Sequence, residues 1–212
     1  MADVSTRPVS DPPPASERRA RTRARLLDAA HEVFGEVGMD AASVEMICER
    51  AGFTRGAFYS NFESKDELFL ALITQLAEAK LDEVAVRVKG LEPDAPSDPS
   101  ALVRRVVGAS LGERMEPQLI SEIRTQALRD PRLAEAYLTW QHALRIRVEG
   151  IIRDVVEMLG LRLRLPIDEA AQLLLDVSDD TCTRATLEGR PLSEVAALLN
   201  ARIERLVTVL VE

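Results

Sequence analysis

Apolar positions recur at helical spacing along almost the whole chain, and the breaks between the runs predict an all-α protein of about nine helices. From Glu17 to Val37 the apolar stripe is Leu26, Leu27, Ala30, Val33, Phe34 and Val37, and Gly38 ends it. Val44, Ile47, Cys48 and Ala51 then fall at i, i+3, i+4 and i+7 behind Ser43, a favourable N-cap. Gly52 stops this second helix because it enters a left-handed conformation cheaply, and Phe53 after it can turn inward. Thr54 caps a third helix that runs through Asn61. Ser64 with Glu67 forms a capping box for a fourth, whose stripe of Leu68, Leu72, Leu76, Ala79, Val84 and Val88 continues to about Lys89. At 1.5 Å per residue that helix is about 37 Å long.

Prolines then break the pattern. Gly90 to Pro99, GLEPDAPSDP, predicts a loop. Five more helical patterns come after it: Ser100 to about Met115, Pro117 to Arg129, Pro131 to Leu159 with Gly160 as its stop, Pro166 to Glu188, and Leu192 to Val211. Leu161 to Leu165, LRLRL, alternates too briefly for a sheet and predicts an extended connector leading into Pro166. Residues 1–16 have prolines and no apolar period, the pattern of a disordered tail.

The stretch Ser43 to Lys65 is two short helices, a tight turn between them and the start of a third, which is a helix-turn-helix. In that motif the second helix lies in the major groove of DNA and must present small, polar and donor groups. Ala57 and Phe58 can pack inward, leaving Arg55, Gly56, Tyr59, Ser60 and Asn61 on the outer side. Arg55 suits bidentate pairing with guanine, and Tyr59 and Ser60 suit phosphate oxygens. Ser43, Thr54 and Lys65 stand at helix N-termini, where free N–H groups favour a phosphate. Arg23 adds a cation from the first helix. The candidate DNA-binding residues are therefore Arg23, Ser43, Thr54, Arg55, Gly56, Tyr59, Ser60, Asn61 and Lys65.

The run Ser43, Val44, Ile47, Ala51-Gly52, Gly56, Phe58-Tyr59, Phe62, Ser64-Lys65 and Leu68 resembles the N-terminal signature of the TetR (tetracycline-repressor-like) transcriptional regulators, over roughly residues 20 to 70. Asn61 departs from it, standing where many members have His. The resemblance implies a DNA-binding head over 17–63 and an effector-binding and dimerisation domain over 64–212. It implies a homodimer, formed by packing residues 166–188 and 191–211 against their two-fold mates. It also implies an effector pocket among the C-terminal helices, enclosed partly by the helix leading out of the head. The partners expected are a double-stranded operator and a small-molecule effector. The sign of regulation is open on the sequence, with repression the expected one.

Charge fits this once its distribution is considered. The net charge is -8, yet Arg18, Arg19, Arg21, Arg23 and Arg25 cluster at the start of the first helix. An acidic body with a basic arm limits indiscriminate DNA binding and keeps attraction local. No apolar run approaches the roughly 20 residues needed to span a bilayer, so no membrane association is expected and the location is expected to be cytoplasmic. Cys48 and Cys182 sit in helical patterns outside any CxxC or Cys/His cluster, as small buried thiols do. No cofactor or metal is expected. Neither is enzymatic activity, since the chain lacks a nucleophile-base pair and a phosphate-cradling glycine loop. The rivals are a helical enzyme with a vestigial head and a protein-interaction module.

In the long helix from Pro131, Tyr137, Trp140 and Leu144 share one stripe. These could line a pocket for an apolar ligand, or be ordinary core. Asp176, Asp179 and Asp180 with Arg184 form a polar strip, which an i,i+4 pair between Asp180 and Arg184 explains without any chemistry.

Overall fold

The computed structural model describes residues 15–91 and 117–212. Residues 1–14 of the expected tail, most of the expected loop and the helix expected from Ser100 to Met115 lie outside them, while Ala15 and Ser16, expected in the tail, open the first helix. Eight helices are present among the described residues: α1 (Ala15–Ala41), α2 (Val44–Ala51), α3 (Arg55–Tyr59), α4 (Lys65–Lys89), α5 (Pro117–Ala127), α6 (Pro131–Leu159), α7 (Ile167–Leu187) and α8 (Leu192–Leu210). They fall into two compact units that meet within α4, one up to Phe69 and one from Leu70.

The head forms where the local signals put it. Gly38, at φ 77° and ψ 166°, interrupts α1, so the helix proper ends there and one more turn comes after it. Val37 consequently stands exposed, although its period places it on the buried stripe. Ser43 accepts the Met46 N–H, and Gly52 closes α2 at φ 72° with its N–H on the Cys48 and Glu49 carbonyls. Thr54 accepts the Ala57 N–H. The α-helix after it is shorter than the pattern predicts, ending at Tyr59, and turn-type bonds from Ser60, Asn61 and Phe62 carry the chain on. Ser64 accepts the Glu67 N–H at 3.0 Å, while Glu67 reaches back to the N–H of Glu63.

Leu26, Ala30, Ile47, Phe58, Leu68 and Phe69 are wholly removed from solvent and make the head's core. Phe58 meets Phe62 at 5.8 Å and Tyr59 edge-on at 5.2 Å, and Phe34 meets Phe69 at 5.0 Å. Each such side chain contributes about 1.5–3 kcal/mol by burial. With so few residues, these aromatics supply much of what holds three short helices together.

In the second unit α5 packs on α6 and α7, α6 on α7, and α7 on α8. Cys182, Ala185, Val195, Leu199 and Ile203 knit α7 to α8, and Val84, Val88 and Leu91 pack with Ile151, Val155 and Met158 from α6. The inner face of α4 here carries Ile73 and Ala77, whereas Ala79 is exposed. Asp130 caps α6 behind Pro131, and Gly160 ends it at φ 61°. The LRLRL connector is free of helix, bends at Arg164 and Leu165, and has a partner. Leu163 pairs with Val211, flanked by bonds from Arg164 N–H to Leu210 and from Glu212 N–H to Arg162, both 2.9 Å. The chain end is thereby tied beside α7.

Candidate nucleic-acid interface and ligand cavity

The outer side of α3 presents Thr54, Arg55, Gly56, Tyr59 and Ser60, all exposed. A Cβ at Gly56 would meet only the Thr54 hydroxyl, at 3.7 Å, and the Arg55 guanidinium stands 5.8 Å from the Tyr59 ring. Arg55 also bonds Glu45 of α2 at 2.7 Å, with both groups mostly in water. The Tyr59 hydroxyl and, after it, the Glu45 carboxylate raise the pKa of Arg55 above its ordinary value. Glu45 is not among the residues that the sequence singles out, although a signal for it exists: Glu45 opens α2 as Arg55 opens α3, across a tight turn.

Three other candidates point elsewhere. Asn61 is expected on the outer side, but the chain buries it to 7% exposure, because it closes the short helix. Its amide donates to the Ala57 carbonyl at 2.8 Å and to Ser60 Oγ at 3.2 Å. Arg23 donates to the Asn61 carbonyl at 2.9 Å and lies 4.1 Å over the Phe62 ring. Lys65 sends its ammonium to the carbonyls of Met39 and Ala42, at 2.7 and 2.9 Å. Arg25, marked in the sequence only as part of the basic arm, does the same for α2, bonding the Ala51 carbonyl at 2.8 Å and covering Phe53. All of these cations satisfy carbonyls that helix ends leave over. They aim α3 whatever they do for DNA.

Ser43 is partly buried and serves as the cap described above. Arg50 ties α2 to α1 through Glu36 and Glu32, at 2.7 and 2.9 Å. The Arg50 bond holds the Glu36 carboxyl below its ordinary value. Burial, with Glu45 adding to it, raises the Cys48 thiol.

The second unit contains a partly open cavity of about 210 Å³, lined by side chains of α4, α6, α7, α8 and the connector. Of Tyr137, Trp140 and Leu144, the cavity wall includes Leu144. Tyr137 is buried elsewhere: its hydroxyl receives Arg124 Nε at 3.3 Å and Gln141 at 3.2 Å, and its ring meets Trp140 at 5.5 Å. Arg124 also grips both oxygens of Asp179 at 2.8 Å. Asp180 holds Arg202 at 2.7 Å and Arg184 at 3.3 Å. The carboxylates of the polar strip are thus engaged within the chain.

Both units have relatives among known proteins. A family model described as bacterial regulatory proteins, tetR family, matches residues 26–72. The HTH-type transcriptional regulator UidR of Escherichia coli K12 is 26% identical over 157 residues, covering 74% of this chain and 78% of its own. A TetR-family regulator from Mesorhizobium loti shares the fold with a TM-score of 0.68 at 22% identity, over 91% of this chain and 98% of that one. Bacillus subtilis FadR, solved with stearoyl-CoA, does so at 0.63 and 18%, over 88% of this chain and 98% of its own. No described helix is long and apolar enough to cross a membrane. The head thus matches the tetR family of bacterial regulatory proteins, and the chain as a whole is similar to bacterial transcriptional regulators.

Proposed function

We propose that this regulator is a repressor that binds a pseudo-palindromic operator as a homodimer and leaves it when a small apolar molecule fills the cavity. The observation that carries this reading is the course of α4. It begins at Lys65, whose ammonium holds the end of α1, and its later residues Ala77, Leu81 and Val84 form part of the cavity wall. A ligand that reshapes that wall acts on the same helix whose first residue seats the head. To move an even equilibrium to 99:1 it must prefer the released state by about 2.7 kcal/mol, within reach of one well-filled apolar site.

In this reading Arg55 reads a base, and Tyr59, Ser60 and Thr54 meet phosphates. Ser43, Arg23, Asn61 and Lys65 hold the reading helix in position. The dimer forms through α7 and α8, where Leu173, Leu187 and Val209 stand exposed among the described residues. The protein acts in the cytoplasm by binding and without catalysis. FadR is a fold relative solved with an acyl ligand, which is consistent with an apolar effector here.

Selection of bound duplexes from a random library at near-physiological salt tests the first half. Enrichment of a two-fold site with half-sites about one helical turn apart is expected. An enriched sequence without two-fold symmetry would reject the dimer. Titration of the selected complex with apolar compounds tests the second half, and binding without any change in DNA affinity would reject the coupling.

A further inference from the structure

The cavity wall specifies the chemistry of what enters it. Of the twenty described residues that line it, eighteen are Ala, Val, Leu or Ile, and the others are Lys80 and Ser178. Ser178 gives its hydroxyl proton to the Leu174 carbonyl of its own helix at 2.7 Å. Lys80 is buried and already engaged in an interaction within the chain, and a lysine can line a wall with its four-carbon stem. The described lining holds no aromatic ring to seat an ammonium, no carboxylate to pair with one, and no arginine fork for an acid. A cation placed there would leave water with no anionic partner in the described lining, and an acid would have to compete for the already engaged Lys80.

Size narrows this further. At about 210 Å³ the cavity is larger than the roughly 150 Å³ space known to take up benzene, so it has room for a compact ligand larger than benzene. Branched walls from four helices surround a compact shape better than an extended chain.

We infer that the effector is an uncharged, compact lipophile, alicyclic or branched, recognised by hydrocarbon contact. The inference rests on the reading of the cavity as an effector site, and the experiment separates the two. Calorimetric titration of the full chain compares camphor, a neutral bicyclic ketone, with bornylamine, which has the same carbon skeleton and carries an ammonium. Camphor is expected to bind at least about 100-fold more tightly, the charge being buried unpaired in the other case. Val148→Phe and Leu144→Phe fill the cavity from two places, and either folded variant should lose camphor binding by at least about tenfold. Bornylamine binding as tightly as camphor, camphor failing to bind, or both variants binding it unchanged would each overturn the inference. Camphor binding in the cavity while the selected duplex stays bound would leave the ligand class standing and reject release. A charged compound that binds and releases the duplex would do the reverse.

Discussion

The two units place their polar groups in opposite ways. In the head, Arg23, Arg25, Arg50 and Lys65 reach across from one helix to the carbonyls or carboxylates of another, so small helices are fixed by directional bonds. In the second unit the ion pairs lie between and outside the helices, and the interior keeps an apolar space that no described side chain fills. The difference comes from the tasks. A reading surface must hold donors in register with base edges, which hydrogen bonds do by their geometry. A responsive site must instead tolerate two arrangements of the same walls, and contacts between aliphatic groups are non-directional enough to allow it.

The strongest way to break that comparison is to remove the apolar keystone of the head. Phe58→Ala should destabilise the head by about 3–5 kcal/mol, the usual range for a fully buried aromatic. DNA binding should vanish, while unfolding of the second unit, followed by Trp140 fluorescence, keeps its denaturant midpoint. A matching fall in that midpoint would mean that the units share one cooperative transition and that the contrast between them is only descriptive.

Lys65 sharpens the comparison at lower energy. If its ammonium holds the end of α1, Lys65→Met leaves the Met39 and Ala42 carbonyls short of a partner and destabilises the head by about 1–2 kcal/mol. Affinity for all DNA sequences should drop with it. A phosphate contact alone would weaken DNA binding and leave the unfolding curve of the head unmoved. Running both measurements on one variant decides which role the residue has.

That same residue marks where sequence reasoning stops. Caps and stops such as Ser43, Gly52, Thr54 and Gly160 act within four residues, so their chemistry is fully present in the local sequence. Arg23 and Lys65 are recognisable as cations, but their partners stand 38 and 26 residues away, and no local pattern names them. The cavity is hidden for another reason. Helical period tells that Leu144 and Tyr137 point inward, but not that one meets a gap while the other meets Arg124 and Gln141. Whether an inward face finds a side chain or a space depends on four helices at once.

Acid should affect both units in the same direction, and this is the smallest effect expected. Asp180 is bonded first by Arg202 and then by Arg184, and its carboxyl is held below its ordinary value of 3.8. Glu36 is held below 4.5, chiefly by its bond to Arg50. With a folded pKa below the unfolded one, each group contributes stability above the unfolded value, and that contribution is lost as pH falls through the folded one. In that window the unfolded chain binds more protons, so unfolding becomes easier with acid. Both carboxylates are open to water, so the effect is small and shrinks further in salt. Urea titrations from about pH 6 down to about pH 3 should therefore show Asp180→Asn below the parent chain near neutrality and converging with it in acid. Glu36→Gln should do likewise in the head. Camphor affinity should stay flat over the same range wherever the chain remains folded, because a neutral ligand in an aliphatic wall exchanges no proton. A slope in that affinity would place an ionisable group against the ligand and return Lys80 to the binding site.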